Sequence, residues 1–165
     1  MVEDKILALP EVLVAVRAHK AAGRTIVFTN GCFDIIHYGH VKCLEAAKQQ
    51  GDILIVGLNS DSSVRRLKGP LRPLLPQLDR AATLAGLESV DYVCIFSTLR
   101  PNKLIAQIRP DIHVKGGDYR KEDLPEAPIV ERYGGKIVIV PTVRGRSTSA
   151  IIDEVLRRSS CESSG

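Results

Sequence analysis

The chain contains no tryptophan, and aromatic residues make up only 4% of its 165 positions. Proteins that hold single-stranded nucleic acid need aromatic platforms on which bases stack. The net charge of +4 therefore does not point to nucleic acid, and a small phosphorylated substrate accounts for the excess cations as well. Long apolar runs are also missing. No stretch reaches the roughly 20 residues of a membrane span, and the first twenty residues, which include Glu3, Asp4 and Glu11, lack the apolar core of a secretory signal. A cytoplasmic protein is expected, with no membrane partner. Cysteine is sparse and unevenly placed: Cys32, Cys43, Cys94 and Cys161 fit reduced thiols rather than a disulfide framework, with Cys43 and Cys94 in apolar, core-like patterns.

What the chain does have is a regular alternation of short apolar runs and helical periodicity, the pattern of an α/β fold in one domain over residues 1–165. Strands are expected at Thr25 to Phe28, Asp52 to Leu58, Asp91 to Phe96, Asp111 to Lys115 and Lys136 to Val140. Their unbroken apolar character suits strands covered on both faces. Helices are expected at Pro10 to Ala22 within an amino-terminal segment 1–23, His37 to Gln50, Asp61 to Arg66, Gln77 to Glu88, Pro101 to Arg109, Ala127 to Tyr133, and from Ser147 onward, burying Ile151, Ile152 and Val155. A polar, disordered tail is expected over 159–165. Five strands linked by helices imply a Rossmann-like, doubly wound parallel sheet of order 3-2-1-4-5, with ligands outside the carboxyl ends of strands one and four.

At that switch point lies the stretch from Phe28 to His40, Phe-Thr-Asn-Gly-Cys-Phe-Asp-Ile-Ile-His-Tyr-Gly-His. It leaves a strand through Asn30-Gly31 and delivers His37 and His40, three residues apart, to the start of a helix. Gly39 between them lets a flat ring or a phosphate approach the backbone, and the free N–H groups of the first turn favour an anion. Cys32, His37, His40 and Cys43 also count as four potential metal ligands, but Cys43 falls in the inward row with Leu44 and Ala47, and the spacing matches no common zinc pattern. The stretch from Leu67 to Pro76 holds three prolines and two cations, Lys68 and Arg72, a composition more typical of a functional lid than of a connector. Lys68 and Lys115 are candidates to hold phosphates, with Arg72 and Arg80 behind them as contacts to the substrate. Ser147 and Thr148 place hydroxyls and free N–H groups at the start of the last helix, where a plain capping role is the duller alternative.

The segment Thr29 to Asp34 with His37-x-Gly-His40 resembles the first signature of the cytidylyltransferase-like nucleotidyltransferase superfamily. Gly57 to Asp61, Arg65 to Gly69, Val90 to Val93, Val114 to Tyr119 and Gly145 to Ser149 narrow the resemblance to the D-glycero-β-D-manno-heptose 1-phosphate adenylyltransferases. That resemblance implies transfer of AMP from ATP to the sugar phosphate, with magnesium held mainly by the substrate phosphates and no metal held by protein side chains. It implies His37, His40 and Lys68 as catalytic residues, and Thr29, Asn30, Gly31, Phe33, Gly39, Lys115, Gly117, Asp118, Ser147 and Thr148 around the nucleotide. Arg72, Arg80 and Tyr119 would then meet the acceptor. A homodimer and a separate heptose kinase are also expected. Thr142, where glycerol-3-phosphate cytidylyltransferases carry arginine, argues against that reaction, and Arg146 stands where a hydrophobic residue is usual. FMN adenylyl transfer and a non-catalytic nucleotide sensor are the remaining alternatives.

Overall fold

The computed structural model describes residues 1–162, with side chains through 160. It contains one five-stranded parallel sheet: β1 Ile26–Gly31, β2 Ile53–Asn59, β3 Tyr92–Phe96, β4 Ile112–Gly116 and β5 Lys136–Val140. The spatial order is β3-β2-β1-β4-β5, as the pattern of apolar runs predicts. The chain therefore reverses direction across the sheet between β1 and β4. Among the described residues, seven α-helices connect and cover the strands: α1 Leu9–Ala21, α2 Tyr38–Lys48, α3 Asp61–Lys68, α4 Gln77–Ala85, α5 Asn102–Ile108, α6 Ala127–Arg132 and α7 Thr148–Glu162.

Alternation along β1 assigns the two halves of the core. Ile26 and Phe28 face a cluster with Val12, Leu104, Ile105 and Val130 from α1, α5 and α6. Val27 faces the other side, with Leu44, Ala47, Ala81 and Leu84 from α2 and α4. Because both faces are covered, every position of β2 is buried. This explains why the strands read as continuous apolar runs rather than alternating ones. The amino-terminal segment packs on the same sheet, with Ile6 bridging to Val93 and Leu7 N–H donating to Val93 O at 3.0 Å.

Three expectations need correction. The chain leaves the sheet later than Asn30-Gly31: both are the last residues of β1, and the reversal falls at Phe33, whose φ of 46° is left-handed without a glycine. Val155 is not buried; 58% of it is exposed, because α7 lays only Ile151 and Ile152 partly against the body. The helix also continues to Glu162, past Ser159, where a disordered tail is expected. Residues 163–165 lie outside the described residues.

Candidate active site

Strand β1 ends in the middle of the sheet and delivers the next residues to the carboxyl edge. His37 is the N-cap residue of α2, with φ −139° and ψ 170°, and its carbonyl accepts from His40 N–H at 2.9 Å. The two imidazoles stack, with centroids 3.7 Å apart and 23° between planes, and Phe33 lies against His40 at 5.1 Å. A Cβ on Gly39 would meet the His37 ring at 3.1 Å and Arg146 Cβ at 3.3 Å. The gap at this glycine is thus filled by the protein's own ring, where the sequence predicts space for a ligand. Arg146, whose sequence position gives no role, is thereby placed beside His37.

The surroundings shift both histidines towards the neutral form. Burial, followed by the charge of Arg146, lowers the pKa of His37. Burial, followed by the charge of His37, pushes His40 down to about 4. Nδ1 of each ring is buried without a partner among the described residues, and a ring that carries its proton on Nε2 presents a donor to anything entering the site.

A second buried imidazole, His113 on β4, is stacked 5.7 Å from Phe28 and is also lowered to about 4, chiefly by burial. The unfolded chain, with histidine pKa near 6.5, binds more protons than the folded one between these values, so stability should fall as pH drops from 6.5 towards 4. Denaturant titrations at a series of pH values should show this decline. His113→Leu should flatten it by up to about 1.4 kcal/mol per pH unit, the value of one proton. An unchanged slope would mean that His113 takes up its proton equally in the folded and unfolded chain.

Cations gather around the end of β1. Burial raises the pKa of the Cys32 thiol, and the charges of Lys68, Arg80 and Arg72 pull against it, which puts all three close to this turn. Their availability differs. Lys68, the last residue of α3, is exposed and has no ion-pair partner among the described residues. Arg72 Nε is engaged by Asp34 Oδ2 at 2.5 Å.

Arg80 does not meet the expectation of a substrate contact. Its side chain is 0% exposed and donates to Leu75 O at 3.0 Å, Cys32 O at 2.6 Å, Asn59 O at 2.9 Å and Asp61 Oδ1 at 2.7 Å. Such a cation knits together the ends of β1, β2 and the loop before α4, and cannot reach a ligand.

Lys115 likewise turns away from the histidines. It shares the His113 side of β4 and pairs with Glu126 at 3.0 Å. Burial alone would raise the pKa of Glu126, but the charge and hydrogen bond of Lys115 outweigh it and lower it.

The remaining predicted residues do lie along the carboxyl edge. Thr29 is buried in β1, Asn30 and Gly31 are half-buried, and the Asn30 Oδ1 is buried without a partner among the described residues. Gly117, with φ 134°, follows β4, and the half-exposed Tyr119 ring folds back over it. Asp118 is exposed. Ser147 Oγ accepts from Ala150 N–H at 3.1 Å, which is a capping bond, and Thr148 Oγ1 donates to Ile35 O at 3.2 Å, attaching the start of α7 beside His37. Among the described residues no group of three or more His, Cys, Asp or Glu converges on a metal position. The site offers N–H donors and cations, which suit phosphate oxygens and do not form a metal cage.

Residues 28–162, which carry this arrangement, match the cytidylyltransferase-like family, and the chain belongs to it, among the nucleotidyltransferases. It is 52% identical over 143 residues to the bifunctional protein HldE of Trichlorobacter lovleyi, covering 87% of this chain and 29% of that protein. To the bifunctional protein HldE of Pseudomonas aeruginosa strain LESB58 it is 49% identical over 156 residues, covering 94% of this chain and 33% of that protein. The chain therefore spans about a third of the length of these curated relatives. Among solved structures, it is similar to a lipopolysaccharide core biosynthesis protein from Thermoplasma volcanium GSS1, with a TM-score of 0.60 and 28% identity, over 75% of this chain and 100% of that one. No helix among the described residues is long and apolar enough to cross a membrane.

Proposed function

We propose that this chain transfers AMP from ATP to D-glycero-β-D-manno-heptose 1-phosphate, giving ADP-heptose and pyrophosphate, as one cytoplasmic domain acting as a homodimer. A heptose kinase activity would supply the acceptor. The observation that carries the chemistry is the stacked, neutral histidine pair at the start of α2, at the switch point of the sheet. The relation to the HldE proteins and to the lipopolysaccharide core biosynthesis protein supports the choice of acceptor.

The acceptor oxygen belongs to a phosphate monoester whose second pKa near 6 leaves it largely anionic at neutral pH. No general base is required. What the reaction needs is alignment of the attacking oxygen with the α-phosphorus and donors for the charge that builds on the phosphate oxygens. Nε2–H of His37 and His40 would supply donors without adding fixed charge, and the N–H groups of Tyr38 and Gly39 at the start of α2 would add to them. Lys68, without an ion-pair partner among the described residues, is a cation that could follow the leaving pyrophosphate. Magnesium in this reading arrives with the triphosphate and neutralises it. Thr29, Asn30, Gly31, Phe33, Gly117 and Asp118 would line the nucleotide, and Tyr119 the acceptor hydroxyls.

A pyrophosphate-release panel crossing ATP and CTP with heptose 1-phosphate, glycerol 3-phosphate and FMN tests the assignment. A site built to bond sugar hydroxyls rejects an acceptor that leaves its polar groups unpaired, by roughly four orders of magnitude in favourable cases. ATP with heptose 1-phosphate should give by far the highest kcat/KM. If CTP with glycerol 3-phosphate were the better pair, the substrate assignment would be wrong while the mechanism stood. No turnover with any pair would favour a nucleotide sensor.

A further inference from the structure

Asp34 is the acidic side chain of the 28–40 stretch, and the proposed reaction leaves it without a task. It is 2% exposed and follows Phe33, whose left-handed backbone turns the chain towards α2 and whose ring packs on His40. Both carboxylate oxygens are engaged. Oδ2 accepts from Arg72 Nε at 2.5 Å, and Oδ1 accepts from the N–H groups of Leu74 at 2.8 Å and Leu75 at 3.1 Å. All three donors come from the proline-rich segment between α3 and α4. Arg80 grips the same segment from the other side: it donates to Leu75 O and, through Nη1, to Cys32 O. The peptide groups around Leu75 are thus held at both N–H and C=O by residues that also fix the turn after β1. The outer part of the segment is not held in this way; Leu71 is 86% exposed, and the chain leaves Lys68 through Gly69 at φ 100°.

A buried carboxylate beside a phosphate site would repel the ligand unless its charge were cancelled. Here Arg72 cancels it, and the oxygens are too fully occupied to serve as a base or to hold a metal. We propose that Asp34 is a positioning residue, a latch that docks the 72–75 limb of the loop onto the turn carrying the histidines and so fixes where Lys68 stands relative to them. The segment expected from its composition to be a lid is, on this inference, divided: the 72–75 limb is a fixed wall, and only the 69–71 tip is free to adjust.

The kinetic arm of the test rests on the nucleotidyl-transfer reading; the exchange arm does not. In Asp34→Ala, native-state amide hydrogen exchange at Leu74 and Leu75 should quicken at least about tenfold while Ile55 and Val56 in β2 keep their protection. The kcat for adenylyl transfer should fall roughly thirtyfold with KM for ATP within about threefold, as expected when geometry is lost and ground-state binding is kept. Asp34→Asn keeps an oxygen for the two amides but offers no charge to Arg72, so it should restore the protection and most of kcat. If Asp34→Ala does not fold, Asp34→Asn decides the matter alone, a kcat roughly thirtyfold below wild type with intact protection overturning the latch. Unchanged protection at Leu74 and Leu75 in the alanine variant would overturn the latch. An asparagine variant with intact protection but a kcat as low as that of alanine would also overturn it, by assigning Asp34 to the chemistry. If the wild-type chain releases no pyrophosphate, the reaction is wrong and the exchange arm still judges the latch.

Discussion

Replacing His37 or His40 by alanine is expected to lower kcat by about a hundredfold or more, roughly 2.7 kcal/mol of transition-state stabilisation, while nucleotide affinity stays within several-fold. The stacked geometry gives the reason. Two neutral rings 3.7 Å apart present N–H donors at fixed positions, which matters most when charge accumulates on the phosphate oxygens and little while ATP merely rests in the site. Each ring also orders the other, so the double variant should cost much less than the sum of the two single losses. Single-turnover measurements with ATP in excess would separate the chemical step from binding. Near-normal turnover in both single variants would remove the histidine pair from the mechanism.

The largest loss of stability is expected from Arg80→Met. Methionine fills much of the arginine stem's volume, but it leaves the carbonyls of Cys32, Asn59 and Leu75 without the donor they share. Buried acceptors left without partners, together with loss of the Asp61 pair, should cost about 3–5 kcal/mol in urea or guanidinium denaturation. Because those carbonyls belong to the ends of β1, β2 and the loop before α4, the remaining folded fraction should also bind nucleotide less well. A loss under about 1 kcal/mol would mean that water replaces the guanidinium at these carbonyls.

Arg80 also shows where the sequence misleads. Taken one residue at a time, a cation near a glycine- and proline-rich loop reads as a phosphate holder. Its row on the helix argues otherwise, because Arg80, Ala81, Leu84 and Ala85 form one inward face of α4, and that periodicity was available without coordinates. Arg72 and Lys115 are different. Their partners Asp34 and Glu126 lie 38 and 11 positions away, and no local pattern announces a pairing that only the fold creates. The strands were legible because burial on both faces leaves a simple mark, an unbroken apolar run. The histidine pair was legible because its three-residue spacing at a helix start lies within local geometry. Val155 was misread because a helix with one half-covered stripe has the same periodicity as a buried one.

The hydrogen bond from Thr148 to Ile35 spans 113 positions of sequence, and it bears on the order in which the molecule is built. The histidine turn is synthesised first, and the segment that closes beside it emerges more than a hundred residues later. Loop closure on that scale is slow compared with the pairing of neighbouring strands. On the ribosome the sheet can therefore begin to assemble well before the site exists, so a nascent chain passes through a stage that is largely folded but has no finished place for a nucleotide.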